Sequence, residues 1–184
     1  GNVRTDATVA NRTLTFGNTT ITDANYQDAL LVATTANNGK LTATGATIAA
    51  GTTGNLTVAI STATAGSLAD TLAVSQTSKA AAANLLDKDL GSLNVAVTGA
   101  VYDYAKVAVT NAPLAFGNVR TDATVANRTL TFGNTTITDA NYQDALLVAT
   151  TANNGKLTAT GATIAAGTTG DLTVAISTAT AGSL

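Results

Sequence analysis

The chain has no cysteine, histidine, methionine or tryptophan, and all eleven of its acidic residues are aspartates. Without cysteine, disulfides, thiolate nucleophiles and zinc–thiolate sites are excluded. Without histidine, the usual general base and the commonest transition-metal ligand are missing. Catalysis would have to rest on Asp, Lys, Tyr or Ser side chains gathered in one pocket. We therefore expect a protein that is not an enzyme and that carries no catalytic cofactor.

Charged residues and long apolar runs are also scarce. Only 11% of the residues are charged and the net charge is −2, so no basic stripe is present and nucleic acid is not an expected partner. No apolar run approaches the ~18–20 residues of a membrane span. Thr, Ala, Asn and Gly dominate the composition, and proline occurs once. A neutral surface rich in hydroxyl groups suits an exposed extracellular fibre better than a cytosolic enzyme.

What the chain does have is a long internal repeat. Residues 1–68 recur as residues 117–184, at an offset of 116, and the single difference is Asn55 against Asp171. A period of this length corresponds to a domain, because solenoid and propeller units run about 20–50 residues. The sequence therefore predicts a segment of a tandem array of nearly identical domains.

Alternating apolar and polar residues predict an all-β fold. The cleanest alternation lies in 55–61, where Leu56, Val58 and Ile60 point to one face. Residues 7–16 and 70–77 alternate in the same way, and the short apolar run 29–33 is typical of a strand covered on both faces. The Asn38-Gly39 dipeptide predicts a hairpin that joins 29–33 to a returning strand at 40–44.

One segment departs from the strand pattern. Residues 78–91 contain four consecutive alanines, which favour a helix, with Ser78 as a candidate N-cap and Gly91 as a candidate C-cap. We expect one short helix here, covering an open end of the sheets. The alternative is an extended loop between two strands.

The junction between the copies contains the only proline. Residues 101–110 read as the last strand of the first repeat, and Pro113 suits the beginning of an edge strand. We place the first repeat at 1–111, without its opening strand, and the second at 112–184, without its last strands. Near this junction, Tyr102, Tyr104, Pro113 and Phe116 are expected to form contacts between neighbouring repeats.

Two stretches carry a family resemblance. Residues 113–119 read Pro-Leu-Ala-Phe-Gly-Asn-Val, and 127–135 contain Thr-Leu-Thr-Phe-Gly-Asn-Thr. They resemble the opening strands of choice-of-anchor D and hydin-like immunoglobulin domains, although Thr121-Asp122 stands where many members have a glycine. The resemblance implies tandem immunoglobulin-like β-sandwiches from large bacterial surface or secreted proteins. It implies no catalytic residues.

Two groups of aspartates are candidates for a Ca²⁺ site. The first is Asp23 with Asp28, and the second is Asp87 and Asp89 with Asp103 from the next strand. Ca²⁺ takes six to eight oxygen ligands, and neither group includes a bidentate glutamate. The alternative in both places is a solvated loop.

These features lead to three functional hypotheses. The first is a structural tandem repeat of a bacterial extracellular adhesin, fibre or biofilm protein, whose partners are the neighbouring repeats and whose role is length and surface display. The second is a self-assembling filament, sheath or surface-layer lattice subunit, completed by strands from identical chains. The third is a module that binds glycans or ice.

Overall fold

Antiparallel β-strands form almost all of the regular structure in the part of the chain that the structure describes, which is residues 1–82, 84–152 and 155–183. In this computed structural model the chain divides into two compact units, Gly1–Val101 and Tyr102–Leu184, hereafter unit 1 and unit 2. The helical segments within the described ranges are two 3-10 turns, Ala24–Tyr26 and Ala140–Tyr142. The predicted all-β fold is confirmed.

Unit 1 is built from two sheets and a smaller third one. Its strands are β1 (Asn2–Arg4), β2 (Arg12–Asn18), β3 (Ala29–Thr35), β4 (Leu41–Ala43), β5 (Ala46–Ile48), β6 (Thr52–Ile60), β7 (Gly66–Ser67), β8 (Asp70–Lys79), β9 (Lys88–Val97) and β10 (Ala100–Tyr102), of which the last residue belongs to unit 2. One sheet has the order β2-β6-β4 and the other β5-β3-β8-β9. The third joins β1, β10 and β7.

The hydrophobic core of unit 1 lies between its two main sheets. Leu56 of β6 comes from one sheet and is completely buried. Leu72 and Val74 of β8 come from the other and are equally inaccessible, as the alternation in the sequence predicts. Leu30 and Val32 of β3 and Ile48 of β5 complete the same cluster. Burial of such side chains contributes about 1.5–3 kcal/mol each, and the two sheets form a β-sandwich around them.

Unit 2 repeats part of this arrangement. Its strands are β11 (Val107–Thr110), β12 (Arg128–Asn134), β13 (Leu146–Val148), β14 (Leu157–Ala159), β15 (Ala162–Ile164) and β16 (Thr169–Ile176). They form a sheet of order β11-β12-β16-β14 and the pair β13-β15. The register is the same in both copies, with Leu14 opposite Leu56 and Leu130 opposite Leu172.

The one substitution between the copies preserves a hydrogen bond. Thr15 Oγ1 donates to Asn55 Oδ1 at 2.8 Å in unit 1. Thr131 Oγ1 donates to Asp171 Oδ1 at 2.7 Å in unit 2. An amide and a carboxylate both offer an acceptor oxygen here, so the cross-strand contact is the same with either residue.

The predicted helix at 78–91 is wrong. Ser78 and Lys79 continue β8, and Lys88 begins β9, so the segment is the tip of a hairpin between these strands. Ala83 lies outside the described residues. Helix propensity favours alanine by only a few tenths of a kcal/mol per residue, which does not offset the cost of nucleating a short isolated helix. The strand ladder on both sides of the tip satisfies the main chain instead.

The predicted hairpin at Asn38-Gly39 is also wrong. Gly39 has the positive φ of 68° that the turn requires, but the strands on its two sides do not pair with each other. The strand before the turn, β3, pairs with β5 and β8, whereas β4 after it pairs with β6 in the opposite sheet. The turn therefore carries the chain from one sheet to the other, which a local dipeptide signal cannot reveal.

The strand-like run 101–110 is divided between the two units. Its beginning lies in β10, where Val101 is opposite Gly66, and its end is β11, which pairs with β12 of unit 2. The boundary at Val101 and Tyr102 lies ten residues before the sequence-based start at Ala112. Residues 114–116 are not in a strand, although Leu114 and Phe116 are half-buried and Ala115 is exposed, as the alternation suggests.

One glycine is required by the close packing of the core. A Cβ atom at Gly54 of β6 would lie 2.6 Å from Cγ1 of Ile48. The equivalent pair in unit 2 is Gly170 and Ile164, at 2.9 Å. Because isoleucine is branched at Cβ and has few alternative rotamers, its Cγ1 atom cannot easily move away. The Ile48 side chain of β5 therefore fits over β6 only because position 54 is a glycine.

We expect Gly54→Ala to destabilise unit 1 by about 1–3 kcal/mol, the usual cost of overpacking a core. Gly17→Ala is the matched control, because a Cβ at Gly17 would meet Thr53 at an ordinary 3.8 Å. Urea denaturation of the two variants, followed through NMR signals of unit 1, measures the difference. Equal midpoints for Gly54→Ala and the unchanged chain would contradict this account of the core.

Candidate functional site

A buried asparagine joins four segments in unit 2. Asn134 is completely buried, and its Nδ2 donates to the carbonyl oxygens of Asp144 at 2.8 Å and Ile164 at 3.2 Å. Its Oδ1 accepts from Gln143 Nε2 at 2.9 Å and from the main-chain N–H of Lys106 at 3.0 Å. An asparagine amide has two donors and two acceptor positions, and all four are used. We call Asn134 and Gln143 the Asn–Gln clasp of unit 2.

The same clasp recurs in unit 1 as Asn18 and Gln27. Asn18 Nδ2 donates to the carbonyl oxygens of Asp28 at 2.9 Å and Ile48 at 3.1 Å, and Gln27 Nε2 donates to Asn18 Oδ1 at 2.8 Å. The position equivalent to Lys106 precedes Gly1. Asn18 and Gln27 are both half-buried rather than buried. Sequence reasoning missed the clasp, because Asn18 sits in a run of residues typical of a solvent-exposed turn.

The contact with Lys106 belongs to a strand pairing that covers one side of β12. Val107 lies opposite Asn134 and Thr110 opposite Thr131. The main-chain N–H of Thr135 donates to the carbonyl oxygen of Lys106 at 2.9 Å. Because alternate residues of an antiparallel strand face the same neighbour, three main-chain N–H groups face β11: those of Thr131, Gly133 and Thr135.

The corresponding side of β2 is open. In the described part of unit 1, β2 pairs with β6 and lies at the edge of its sheet. We call the side that faces away from β6 the β2 edge. By equivalence with unit 2, three main-chain N–H groups point out of it: those of Thr15, Gly17 and Thr19. Thr15 and Gly17 are exposed, whereas Thr131 and Gly133 are half-buried.

Unit 2 has an open edge of its own on the second sheet. In unit 1, β3 lies between β5 and β8, whereas the equivalent strand β13 pairs with β15 alone among the described residues. The difference appears in burial: Val32 is completely buried and Val148 is half-buried. Leu147 is 73% exposed, and its counterpart Leu31 is half-buried. In unit 1, β8 covers the edge of β3, and the equivalent edge of β13 is accessible in unit 2.

An apolar cavity of about 390 Å³ lies at one end of unit 1. Both main sheets line it, with Leu14 from β2 on one side and Leu72 and Val95 from β8 and β9 on the other. Gly1 also borders the cavity, and its terminal N–H donates to the carbonyl oxygen of Thr98 at 3.0 Å. The lining is mainly aliphatic, so the cavity is suited to apolar side chains.

The structure brings Asp28 and Asp87 to the same hairpin tip and places the other Ca²⁺ candidates in separate local contacts. Asp23 caps the first 3-10 turn by accepting from the main-chain N–H of Asn25, and Asp89 accepts from that of Gly91. Asp28 and Asp87 hold the β8–β9 tip, and Asp103 is buried in unit 2. Within the described ranges, no three carboxylates come together as a metal site would require.

The β8–β9 tip is held by two aspartates. Asp28 accepts from Ser78 Oγ at 2.7 Å and from the main-chain N–H of Ala81 at 3.0 Å, and these bonds lower the pKa of its carboxyl below the ordinary 3.8. Asp87 accepts from Lys79 Nζ and from the main-chain N–H of Ala80, which lower its pKa in the same way.

The four predicted junction residues have different surroundings. Tyr102 packs against Tyr142 of the same unit, with ring centroids 5.8 Å apart and planes tilted by 59°. Tyr104 is 62% exposed. Pro113 follows a cis peptide bond and is exposed, and Phe116 is half-buried. Their role between repeats stays a prediction.

No known protein family matches the chain, and no curated protein is significantly similar to it. The resemblance to choice-of-anchor D and hydin-like domains therefore stays a prediction. In the ranges that the structure describes, no helix has the length and apolar character needed to cross a membrane.

We expect Asn134→Ala to destabilise unit 2 by about 2–4 kcal/mol, because the carbonyl of Ile164 and the amide of Gln143 would lose a buried partner. Asn18→Ala is the matched variant in unit 1, with an expected cost of about 1 kcal/mol, since water reaches the half-buried site. Urea titrations read from NMR signals of each unit give both values. If the two variants lose equal amounts of unfolding free energy, the burial of the clasp does not determine its contribution to stability.

We expect the β8–β9 tip to loosen in acid. The pKa values of Asp28 and Asp87 are lowered in the folded state, so their contribution to stability is complete above the ordinary carboxyl pKa of 3.8. It is lost as the pH falls below 3.8 and through the folded-state values. NMR signals of the Ala80 and Ala81 amides, followed from pH 6 to pH 2, report the change. In Asp28→Asn, the acid-dependent shift of Ala81 should disappear while that of Ala80 remains.

Proposed function

We propose that the chain is a structural segment of a tandem array, a non-catalytic repeat of a bacterial extracellular adhesin, fibre or biofilm protein. Each repeat is an immunoglobulin-like sandwich of the choice-of-anchor D or hydin-like kind. Its role is to add length and to display other parts of the protein at the cell surface. The neighbouring repeats are its principal partners.

The observation that carries this proposal is that one sequence builds the same contacts twice. Both copies have the same strand register and the same Asn–Gln clasp, with corresponding hydrogen bonds that agree within about 0.1 Å. A second contact between distant segments recurs as well, from Thr62 Oγ1 to the carbonyl oxygen of Ala7 and from Thr178 Oγ1 to that of Ala123, at 2.9 Å in each. Units that fold alike in different surroundings can be added in series, and the length of an array then follows copy number.

The use of the acidic side chains supports a structural role. Asp23 caps a turn, Asp28 holds the β8–β9 tip, and Asp70 accepts from the main-chain N–H groups of Asn37 and Asn38 at 3.0 and 3.2 Å. Each of these carboxylates is a local acceptor that orders a loop. Loops tied down in this way suit a rigid building unit.

A second candidate function is self-assembly into a filament, sheath or surface-layer lattice. Such a subunit would use main-chain pairing, because unpaired groups at the edge of a sheet are templates for pairing with another chain. Self-assembly and extension differ in what a purified array does at rising concentration. A spacer stays monomeric, whereas a lattice subunit forms filaments or sheets without other components.

Force spectroscopy on a chain of four joined 116-residue periods tests the leading proposal. We expect evenly spaced unfolding events, each adding up to about 400 Å, the extended length of 116 residues at about 3.5 Å each. A single period flanked by the same handles is the control and should give one such event. Irregular steps would contradict independent repeats, and filaments seen by electron microscopy would favour the second candidate.

A further inference from the structure

The β2 edge has the same sequence as an edge that is already paired elsewhere in the chain. Arg12–Asn18 and Arg128–Asn134 are identical, and each pairs on one side with its own copy of the same strand. On the other side, β12 accepts Val107–Thr110 with Val109 opposite Phe132. The β2 edge therefore presents the donors and acceptors that β12 presents to β11, in the same order.

The pairing on β12 depends chiefly on the main chain. Val107 and Val109 of β11 remain 57% and 47% exposed, so the strand buries little apolar surface. The more specific contact is at Lys106, whose N–H donates to Asn134 Oδ1 and whose carbonyl accepts from Thr135. Asn18 occupies the same place in unit 1 and offers the same Oδ1 acceptor, so the register of an incoming strand is specified there too.

The path that leads from such a strand into the repeat passes through the same anchored aspartate in both units. The main-chain N–H of Asp6 donates to the carbonyl oxygen of Thr62 at 2.9 Å, and that of Asp122 to Thr178 at 3.0 Å. Each copy is therefore anchored alike at this aspartate, whereas Asn2–Arg4 form a strand in unit 1 and residues 118–120 do not in unit 2. In unit 2, residues 111–116 span the distance from β11 to this segment, so an identical stretch has the right length in unit 1.

The cavity in unit 1 lies where this stretch would end. Phe116 directly precedes Gly117, which is the counterpart of Gly1, and Gly1 borders the cavity. The place of Gly1 is closely defined, because a Cβ at Gly99 would collide with the carbonyl oxygen of Gly1. Leu114 and Phe116 alternate with an exposed Ala115 in unit 2. Side chains placed in this way ahead of Gly1 would enter an aliphatic cavity of about 390 Å³.

We propose that the β2 edge and this cavity form one docking site, whose occupant is a further copy of residues 106–116 joined ahead of Gly1. Its strand pairs with β2, and the main-chain N–H of its lysine, the copy of Lys106, donates to Asn18 Oδ1. Its copies of Leu114 and Phe116 fill the cavity. The inference rests on the proposed tandem array and adds where each sandwich begins: the strand at the end of each sequence period closes the sheet of the sandwich that follows it. The occupied edge is then no longer a template for aggregation.

The test is residue-resolved amide exchange on the full chain extended at its amino terminus by residues 106–116. We expect exchange at Thr15, Gly17 and Thr19 to slow by at least about tenfold relative to the unextended chain. Leu14 and Phe16 already face β6 and report whether unit 1 remains folded. Thr131, Gly133 and Thr135 are the internal standard, because β11 already protects them in both chains.

Two proline variants of the added copy form a matched pair. Ala108→Pro removes an N–H that faces the docking edge, so protection of Gly17 should be lost. Val109→Pro removes one that faces solvent, so most of the protection should remain. A third variant, Leu114→Ser with Phe116→Ser in the added copy, tests the cavity. It should lower the melting temperature of unit 1 by about 5 °C or more relative to the unsubstituted extension.

Other results overturn the proposal. If Thr15, Gly17 and Thr19 exchange as fast as before, or if the extension unfolds unit 1, the segment does not dock there. If protection appears only at concentrations where the extended chain dimerises, the occupant comes from a second molecule. If docking fails but force spectroscopy of the array still gives regular unfolding steps, the proposed spacer role stands. If the β2 edge is fully protected but the unfolding steps are irregular, the spacer role is rejected and the docking site stands.

Discussion

Main-chain pairing between strands is the constraint on which this structure depends. The chain has no disulfide and few charged or aromatic residues, so few strong side-chain contacts are available. Each strand must still satisfy its N–H and carbonyl groups, since an unpaired buried group costs about as much as a lost hydrogen bond. The sheets meet this need, and the core between them is a modest cluster of leucine, valine and isoleucine side chains.

The two copies show what a neighbouring strand does to an unchanged sequence. Where β11 lies beside β12, Asn134 is completely buried and Gly133 is half-buried. In unit 1 the same residues, Asn18 and Gly17, are half-buried and exposed. Where β8 lies beside β3, Val32 is buried, and without that partner Val148 is half-buried. Burial in this protein is therefore a property of strand order as much as of residue type.

The Asn–Gln clasp explains how an uncharged but polar asparagine amide is kept inside a small β-sandwich. Asn134 reaches the ends of three neighbouring segments and fills all of its hydrogen-bonding positions, so its burial does not leave an unsatisfied group. Such a residue contributes little net free energy to folding, but it excludes other strand registers. If a strand shifted, the amide donors of Asn134 would lose their hydrogen-bond partners. In the tandem array that we propose, mispairing between identical neighbours is a hazard that this specificity would reduce.

The sequence by itself determined the repeat, the all-β class and the inward positions of Leu56, Leu72 and Val74, because alternation and internal identity are local properties of the chain. It was misleading at 78–91 and at Asn38-Gly39, where alanine propensity and a turn dipeptide report on local geometry alone. Only the tertiary structure decided that β4 joins the opposite sheet, that Val107–Thr110 belongs to unit 2, and that Asn134 is a buried clasp rather than a turn residue. Each of these depends on which distant strand supplies the hydrogen-bonding partner, and no pattern of nearby residues specifies that choice.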